Sequence, residues 1–309
     1  MSFSTEIKNE VCSLKLSRVE NISFLSGFVR NNKLENVNKI SLLTENPKIV
    51  RYLYNLFKEI YGVSPLIEKG KSNNFNKNVY YNLVINDNAN FILKDIMVID
   101  DDNKLIEEPK SYIIDTEELK RSYLRGVFLV SGSVNDPKTS RYHMEFILDT
   151  KEYANFINKL LNTYDLNSKI IKREKNYTVY IKEAEKISDF LRVIKAFSAV
   201  MYFEDIRIYR DHKNMTNRLN NCEQANMDKV FMTANKQIND IEKLYELDMV
   251  DLLDEKLKTV IEYRMKYKES SLKELAEIMS FETGTEITKS GLNHRFRKIR
   301  EILDNIENK

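Results

Sequence analysis

Ser23-Phe24-Leu25-Ser26-Gly27-Phe28-Val29-Arg30-Asn31-Asn32-Lys33 aligns without a gap to Ser122-Tyr123-Leu124-Arg125-Gly126-Val127-Phe128-Leu129-Val130-Ser131-Gly132, at a constant offset of 99 residues. Each copy sets a glycine among large apolar residues, in a run that reads as a helix. Two helices that share this pattern can cross with their backbones close together, because glycine has no Cβ to hold them apart. Glycine on an apolar helix often serves close packing alone. A second copy at constant spacing says more, since it predicts a duplicated unit with an internal two-fold.

The element order around each copy repeats as well. In the second half a helix over 116–130 leads to a strand, where Tyr142, Met144, Phe146 and Leu148 alternate with His143, Glu145 and Ile147. Tyr153, Phe156, Ile157, Leu160 and Leu161 then mark one face of a helix. Strands over 168–173 and 177–181, joined at Glu174-Lys175-Asn176, precede a closing helix at Ile187, Phe190, Leu191 and Ile194, and a further strand fits near Ser133. The first half follows suit: a strand over 39–44, a helix with Ile49, Leu53, Leu56, Phe57 and Ile60 on one face, strands over 64–69 and 79–85, and a short helix over 90–97. The acidic junction Asp100-Asp101-Asp102 to Glu107-Glu108-Pro109 lacks the glycine turn and closing Glu of a calcium loop and reads as a solvated linker.

Beyond Tyr202 the pattern changes. A connector carrying Arg207, Arg210, Lys213 and Arg218 leads into a helix expected from Ala225 to Tyr245. Three shorter helices follow. Leu253, Leu257, Val260 and Ile261 face inward on the first, and Ser271 with Glu274 forms a capping box for the second. Leu292, Phe296, Ile299 and Leu303 stripe the third. The fold class is therefore α+β, a pseudo-symmetric αβ repeat domain followed by a small all-α domain. The expected divisions are 1–109 and 110–200 for the two repeats, 201–247 for the connector and 248–309 for the helical domain.

Composition excludes several classes. Of 309 residues 42% are hydrophobic, which supports real cores, and the seven glycines and four prolines are too few for a linker-rich chain. The two cysteines stand far apart, as in a reduced, cytoplasmic protein. Three isolated histidines give no metal site, and no cofactor is expected. No signal peptide and no membrane span is visible. The net charge of +2 means that any basic surface is local.

One such surface is on the last helix. Ser290, Gly291, His294, Arg297 and Lys298 lie opposite its apolar stripe, with Asn293 and Arg295 at the flanks and Lys289 at its start. From Ile287 to Arg300 there are five Lys or Arg and no acid, whereas Asp251 to Lys309 as a whole holds twelve basic and twelve acidic residues, so charge is sorted rather than in excess. A basic helix after a capped one is what a helix-turn-helix needs to enter the major groove of double-stranded DNA. Arg and Asn suit bidentate contacts to guanine and adenine. A solvated surface helix is the alternative, and the connector before this helix exceeds the roughly three to four residues usual for the motif. A second basic cluster, Lys169, Lys172, Arg173, Lys175 and Lys182, marks the second repeat's hairpin. Alternation is expected to put Lys172 and Lys182 on one face, either to grip phosphates or to keep a sheet edge soluble.

The duplicated phrase resembles the motif of the LAGLIDADG homing endonucleases, read over Leu25 to Lys33 and Leu124 to Gly132. Gly27 and Gly126 match its first glycine, and Gly132 matches its last while Lys33 does not. The family's metal-binding acids fall on Asn32 and Ser131, neither of which ionises. Magnesium favours carboxylate oxygens, and metal-assisted phosphodiester cleavage depends on that charge. The resemblance thus implies a DNA-binding saddle without cutting chemistry. Glu35 and Asp136 stand near as substitute acids, although Asp136-Pro137 reads as a turn.

Together with the helical C-terminal unit, the chain resembles the WhiA family along nearly its whole length. The most specific stretches are Tyr123 to Leu129, Gly132 to Pro137, Asn221-Cys222-Glu223-Gln224-Ala225-Asn226, and Ile287 to Arg295. That resemblance implies a non-enzymatic transcription regulator associated with the nucleoid, acting in sporulation, cell division or chromosome segregation, with a C-terminal unit similar to a sigma-factor promoter-reading domain. It also admits partners among other transcription or cell-division proteins. The internal two-fold favours a monomer. The rival functions are an active endonuclease and a protein-docking repeat that leaves DNA binding to the C-terminal domain.

Overall fold

Short helix α1 (Phe3–Val11) precedes the first copy of the duplicated phrase, which is helical as α2 (Arg18–Arg30). Then come β1 (Ile40–Thr44), α3 (Pro47–Tyr61), β2 (Leu66–Lys71), β3 (Val79–Ile85) and α4 (Ala89–Asp95). The second copy is α5 (Glu117–Ser131), followed by β4 (Gly132–Val134), β5 (Met144–Leu148), α6 (Lys151–Asn162), β6 (Lys169–Arg173), β7 (Asn176–Ile181) and α7 (Ala184–Val193). Helices α8 (Phe197–Glu246), α9 (Glu255–Lys266), α10 (Leu272–Thr283) and α11 (Lys289–Glu307) complete the chain. The computed structural model describes residues 2–32, 36–71, 79–139 and 141–307. The chain divides into two compact units, one ending at Arg210 and one starting at Asp211.

Local sequence explains the helix ends. Ser17 and Glu20 form a reciprocal capping box on α2, and Thr116 and Thr150 accept the N3 amides of α5 and α6. Asn46 caps α3 with Pro47 at its first position, and Gly62 ends that helix at φ 68°, a left-handed conformation that glycine adopts without strain. Each repeat builds one antiparallel sheet, ordered β1-β3-β2 in the first and β4-β5-β7-β6 in the second.

The two sheets share one core, organised by the α2–α5 crossing. A Cβ built on Gly27 would lie 2.4 Å from the Tyr123 carbonyl oxygen, and one on Gly126 would lie 2.1 Å from that of Phe24. Phe24 and Tyr123 are themselves 99 residues apart, so the contact is reciprocal under the duplication. Small hydroxyls seal the same seam. Ser23 donates to the carbonyls of Ile113 and Leu119, each at 2.8 Å, and Ser122 donates to that of Glu20 at 2.8 Å. Fully buried Phe24, Leu25, Tyr123, Leu124, Val127 and Phe128 pack around it.

Helix α1 has no counterpart in the sequence reading. It buries Phe3, Ile7 and Val11, spaced one turn apart, in the same core. A second difference concerns α8. The helix expected to begin at Ala225 begins at Phe197, because no glycine or proline interrupts the chain from there to Glu246. Its first turns place Ala199, Val200 and Phe203 in the core of the first unit.

The second unit has its own core. Ile241 and Leu244 of α8 meet Leu257, Val260 and Ile261 of α9, Leu275 and Met279 of α10, and Leu292, Phe296, Ile299 and Leu303 of α11. Asp254 caps α9, and Ser271 with Glu274 forms the expected capping box on α10. Arg264 is the one charged side chain buried here among the described residues, at 1% exposure. Its Nη1 donates to the Ser270 carbonyl at 2.6 Å, and its guanidinium lies 5.5 Å from the Phe296 ring, tying the α9–α10 turn to α11.

Candidate nucleic-acid interface

The positions that hold metal-binding acids in homing endonucleases are turned inward here. Asn32 Nδ2 donates to the Phe28 carbonyl at 3.0 Å, and its Oδ1 accepts the Leu43 amide at 3.3 Å. Ser131 Oγ donates to the Val127 carbonyl at 2.9 Å. Both side chains thus bond back onto their own helix one turn earlier, and Asn32 also anchors β1. Asp136 is engaged in a turn, its Oδ1 accepting the Lys138 amide at 2.9 Å and the Tyr202 hydroxyl at 3.3 Å. Lys33 and Glu35 lie outside the described residues. Among the described residues, no three His, Cys, Asp or Glu side chains gather where a metal ion would sit.

Strand register sets what each sheet turns away from the core. In the second repeat Glu145, Tyr180 and Lys169 lie side by side, then Ile147, Thr178 and Ile171, then Asn176 and Arg173. Lys182, just past β7, stays in phase with Tyr180 and sits 5.0 Å from its ring. The single acid of these outward positions, Glu145, is bracketed by His143 Nε2 at 3.1 Å and Arg173 Nη2 at 3.3 Å. This face is basic on balance, and exposed Lys175 extends it at the hairpin turn. Lys172 corrects the sequence reading. It pairs with Tyr177, and Tyr177 with Leu148, so it belongs to the core-side phase and does not share a face with Lys182. A two-residue turn restarts the alternation on the returning strand, so counting through the hairpin misassigned it.

The first sheet presents a different surface. Its outward positions are Ser41, Val84 and Leu66, then Leu43, Asn82 and Glu68, then Tyr80 and Gly70, and none is basic. Asn82 accepts from Ser41 at 2.7 Å and donates to Glu68 at 3.0 Å. Among the described strand positions, the outward face of the second sheet is cationic and that of the first carries no basic residue.

On α11 the expected segregation of charge is present. Leu292, Phe296, Ile299 and Leu303 are buried, while Lys289, Ser290, Asn293, His294, Arg297 and Lys298 are exposed and Arg295 is half-buried. Thr288 Oγ1 accepts the Gly291 amide at 3.1 Å and caps the helix start. Ser280 Oγ accepts the Ile287 amide at 2.9 Å and donates to its carbonyl at 3.2 Å, which fixes the long connector before α11. Lys298 turns aside to Asp254 at 3.2 Å. That carboxylate is held below its usual range by the Leu257 amide it caps and by Lys298 itself. Lys289, Arg295 and Arg297 make no hydrogen bond or ion pair among the described residues, leaving three unmatched cations near the first turns of α11.

Fold and site together define a degenerate LAGLIDADG architecture joined to a helix-turn-helix domain. The chain matches the WhiA N-terminal LAGLIDADG-like domain over residues 19–99, the WhiA LAGLIDADG-like domain over 120–213 and the WhiA C-terminal HTH domain over 216–303. The probable cell division proteins WhiA of Bacillus mycoides (strain KBAB4) and Bacillus cytotoxicus are each 41% identical to it, over 99% of this chain and 97% of theirs. Full-length WhiA from Thermatoga maritima aligns with a TM-score of 0.57 and 25% identity, covering 99% of each chain. The chain belongs to the WhiA family.

Proposed function

We propose that this protein is a non-catalytic, sequence-specific DNA-binding regulator of transcription, acting in bacterial cell division, chromosome segregation or sporulation. The carrying observation is the unmatched cationic face of α11 opposite a fully buried stripe. Ser290, Asn293, His294 and Arg297 read base edges, with Arg295 at the flank, and Lys289 contacts phosphate. A lost Arg-to-guanine contact costs about 1–3 kcal/mol of discrimination. Genome-wide mapping of bound sites identifies the operator. Arg297→Ala and Arg295→Ala are then expected to weaken operator binding about tenfold or more in a mobility-shift assay. Unchanged binding in both removes α11 as the reading helix.

The absence of cutting follows from the same electrostatics. An amide and a hydroxyl, each already bonded to a helix carbonyl, offer no anionic cradle for magnesium. Purified protein with supercoiled plasmid and magnesium is expected to leave the plasmid intact, and nicking that disappears in Asp136→Ala overturns this reading. The sheet of the second repeat adds phosphate contacts through Lys169, Arg173, Lys175 and Lys182. The protein acts as a cytoplasmic, nucleoid-bound monomer, its internal duplication supplying the two-fold that a dimer otherwise provides.

A further inference from the structure

Helix α1, the first turn of α3 and the C-terminal end of α5 wall an open cleft of about 970 Å³. Lys8 and Lys48 both line it, together with Thr5, Asn9, Asn46 and Tyr80. Asn46 Nδ2 donates to Asn9 Oδ1 at 2.9 Å, while Asn46 Oδ1 accepts the Lys48 amide at 2.9 Å, so the two helices that carry the lysines are tied together. Lys8 is partly buried, its Nζ 5.8 Å from the Phe128 ring. It makes no hydrogen bond or ion pair with a described residue. Burial pushes its ammonium down to about 8, and the neighbouring Cys12 thiol only partly offsets this. A desolvated ammonium without a counter-anion is costly, and an oxyanion entering the cleft relieves that cost.

We propose that this cleft is a discrete phosphate-binding site in which Lys8 and Lys48 hold a phosphate oxyanion. Leu43 and Tyr80, outward-phase residues of the first sheet, also line the cleft, so it opens on the sheet face that carries no basic strand residue. Glu45 lines the cleft too, so two ammonium groups against one carboxylate leave it with an excess of positive charge. The phosphate comes either from a DNA backbone or from a small phosphorylated ligand. The inference is independent of base reading by α11, because its first test uses no DNA.

Pyrophosphate is titrated into the full chain by calorimetry, beside Lys8→Met and Lys48→Gln. In parallel, the salt dependence of binding to a mixed-sequence duplex is measured for all three proteins. For a small ligand, pyrophosphate binds the wild type, both variants weaken it at least tenfold, and the salt slopes agree. For backbone phosphate, the variants lower the salt slope by about one. Wild-type pyrophosphate binding and salt slope both unchanged in Lys8→Met and Lys48→Gln overturn the proposal. Lys48 is exposed, so its variant keeps the test decisive if Lys8→Met fails to fold.

Discussion

Gly126→Ala tests the idea that one crossing organises the whole repeat domain. The new Cβ would stand 2.1 Å from the Phe24 carbonyl oxygen and 2.8 Å from the Phe28 nitrogen, both backbone atoms that no rotamer change can move. Restoring a 3.0 Å contact separates α2 from α5 by about 0.9 Å at this point, against a fully buried core. Overpacking of well-packed cores costs about 1–3 kcal/mol, and a backbone obstacle places this site at the upper end. Alanine's better helix propensity returns about 1 kcal/mol. The net expectation is a loss of about 2 kcal/mol, or roughly 4–8 °C in the melting temperature of a unit this size. Native-state hydrogen exchange followed by mass spectrometry reads the effect on α2 and α5 peptides separately from the second unit. Gly291→Ala is the matched control. Its nearest obstacle is the Thr288 hydroxyl at 3.3 Å, so it is expected to be neutral or slightly stabilising. Protection of α2 and α5 in Gly126→Ala within about 0.5 kcal/mol of wild type would refute the close-crossing argument.

Two further perturbations separate the units. Arg264→Met removes the donor to the half-buried Ser270 carbonyl and the cation over Phe296, leaving that acceptor without its partner. A cost of about 1–3 kcal/mol is expected, seen as faster exchange in α9 and α10 with α2 and α5 unchanged, and equal protection throughout would show that Arg264 is dispensable. Lys8 gives a pH signature. Its folded-state value of about 8 lies below the usual 10.5, so from about pH 8 upward the unfolded chain binds more protons and stability rises with pH. Burial pushes the Cys12 thiol up to about 12 from the usual 9.0, so above pH 9 the folded chain retains a proton that the unfolded chain loses, which opposes the rise. Denaturation midpoints are therefore expected to increase from pH 7 to pH 9 in the wild type and to stay flat in Lys8→Met, and an identical increase in both would exclude Lys8 as its source.

The duplication was legible because the crossing constrains sequence directly. A glycine is required wherever a carbonyl of the other helix lies where a Cβ would be, and that requirement recurs at Gly27 and Gly126. Strands and amphipathic helices followed from alternation and helical spacing. Three features were not legible, each for a physical reason. Helix α1 has no repeat partner, and only Phe3, Ile7 and Val11 mark its face. Helix α8 is exposed on every side from Asp211 to Lys229, so apolar periodicity had nothing to report there. Lys172 and Lys182 were misphased because alternation fixes faces within a strand, whereas the pairing of Lys172 with Tyr177 is fixed by the turn. The cationic face of α11 was visible because a buried stripe at fixed spacing dictates what lies opposite. The ion pair that diverts Lys298 to Asp254 joins residues 44 positions apart and needed the fold.

Packing and charge answer to different demands at the α2–α5 seam. The glycine crossing is indifferent to whether the helix ends carry acids, and two carboxylates held close together in a poorly solvated seam repel each other unless cations bind between them. Asn32 and Ser131 carry no charge to repel, and they add bonds to Phe28, Leu43 and Val127 at the two helix ends. Once no paired metal sites have to meet two strands symmetrically, the two sheet faces are free to differ. They do differ, with Lys169, Arg173 and Lys182 in outward phase on one and Asn82 hydrogen-bonded to Glu68 on the other. If the repeat domain lies on DNA as proposed, a pseudo-symmetric backbone with an asymmetric surface would distinguish the two directions along a duplex. On this argument, charge reversal at Lys169 and Arg173 is expected to flatten the salt dependence of duplex binding, whereas Glu68→Lys is expected to steepen it by opening a second phosphate track. Slope changes of opposite sign, the larger from the double reversal because it removes two contacts where Glu68→Lys adds one, would fit this picture, and a wild-type slope unaffected by the Lys169 and Arg173 reversals would remove the repeat domain from the DNA interface.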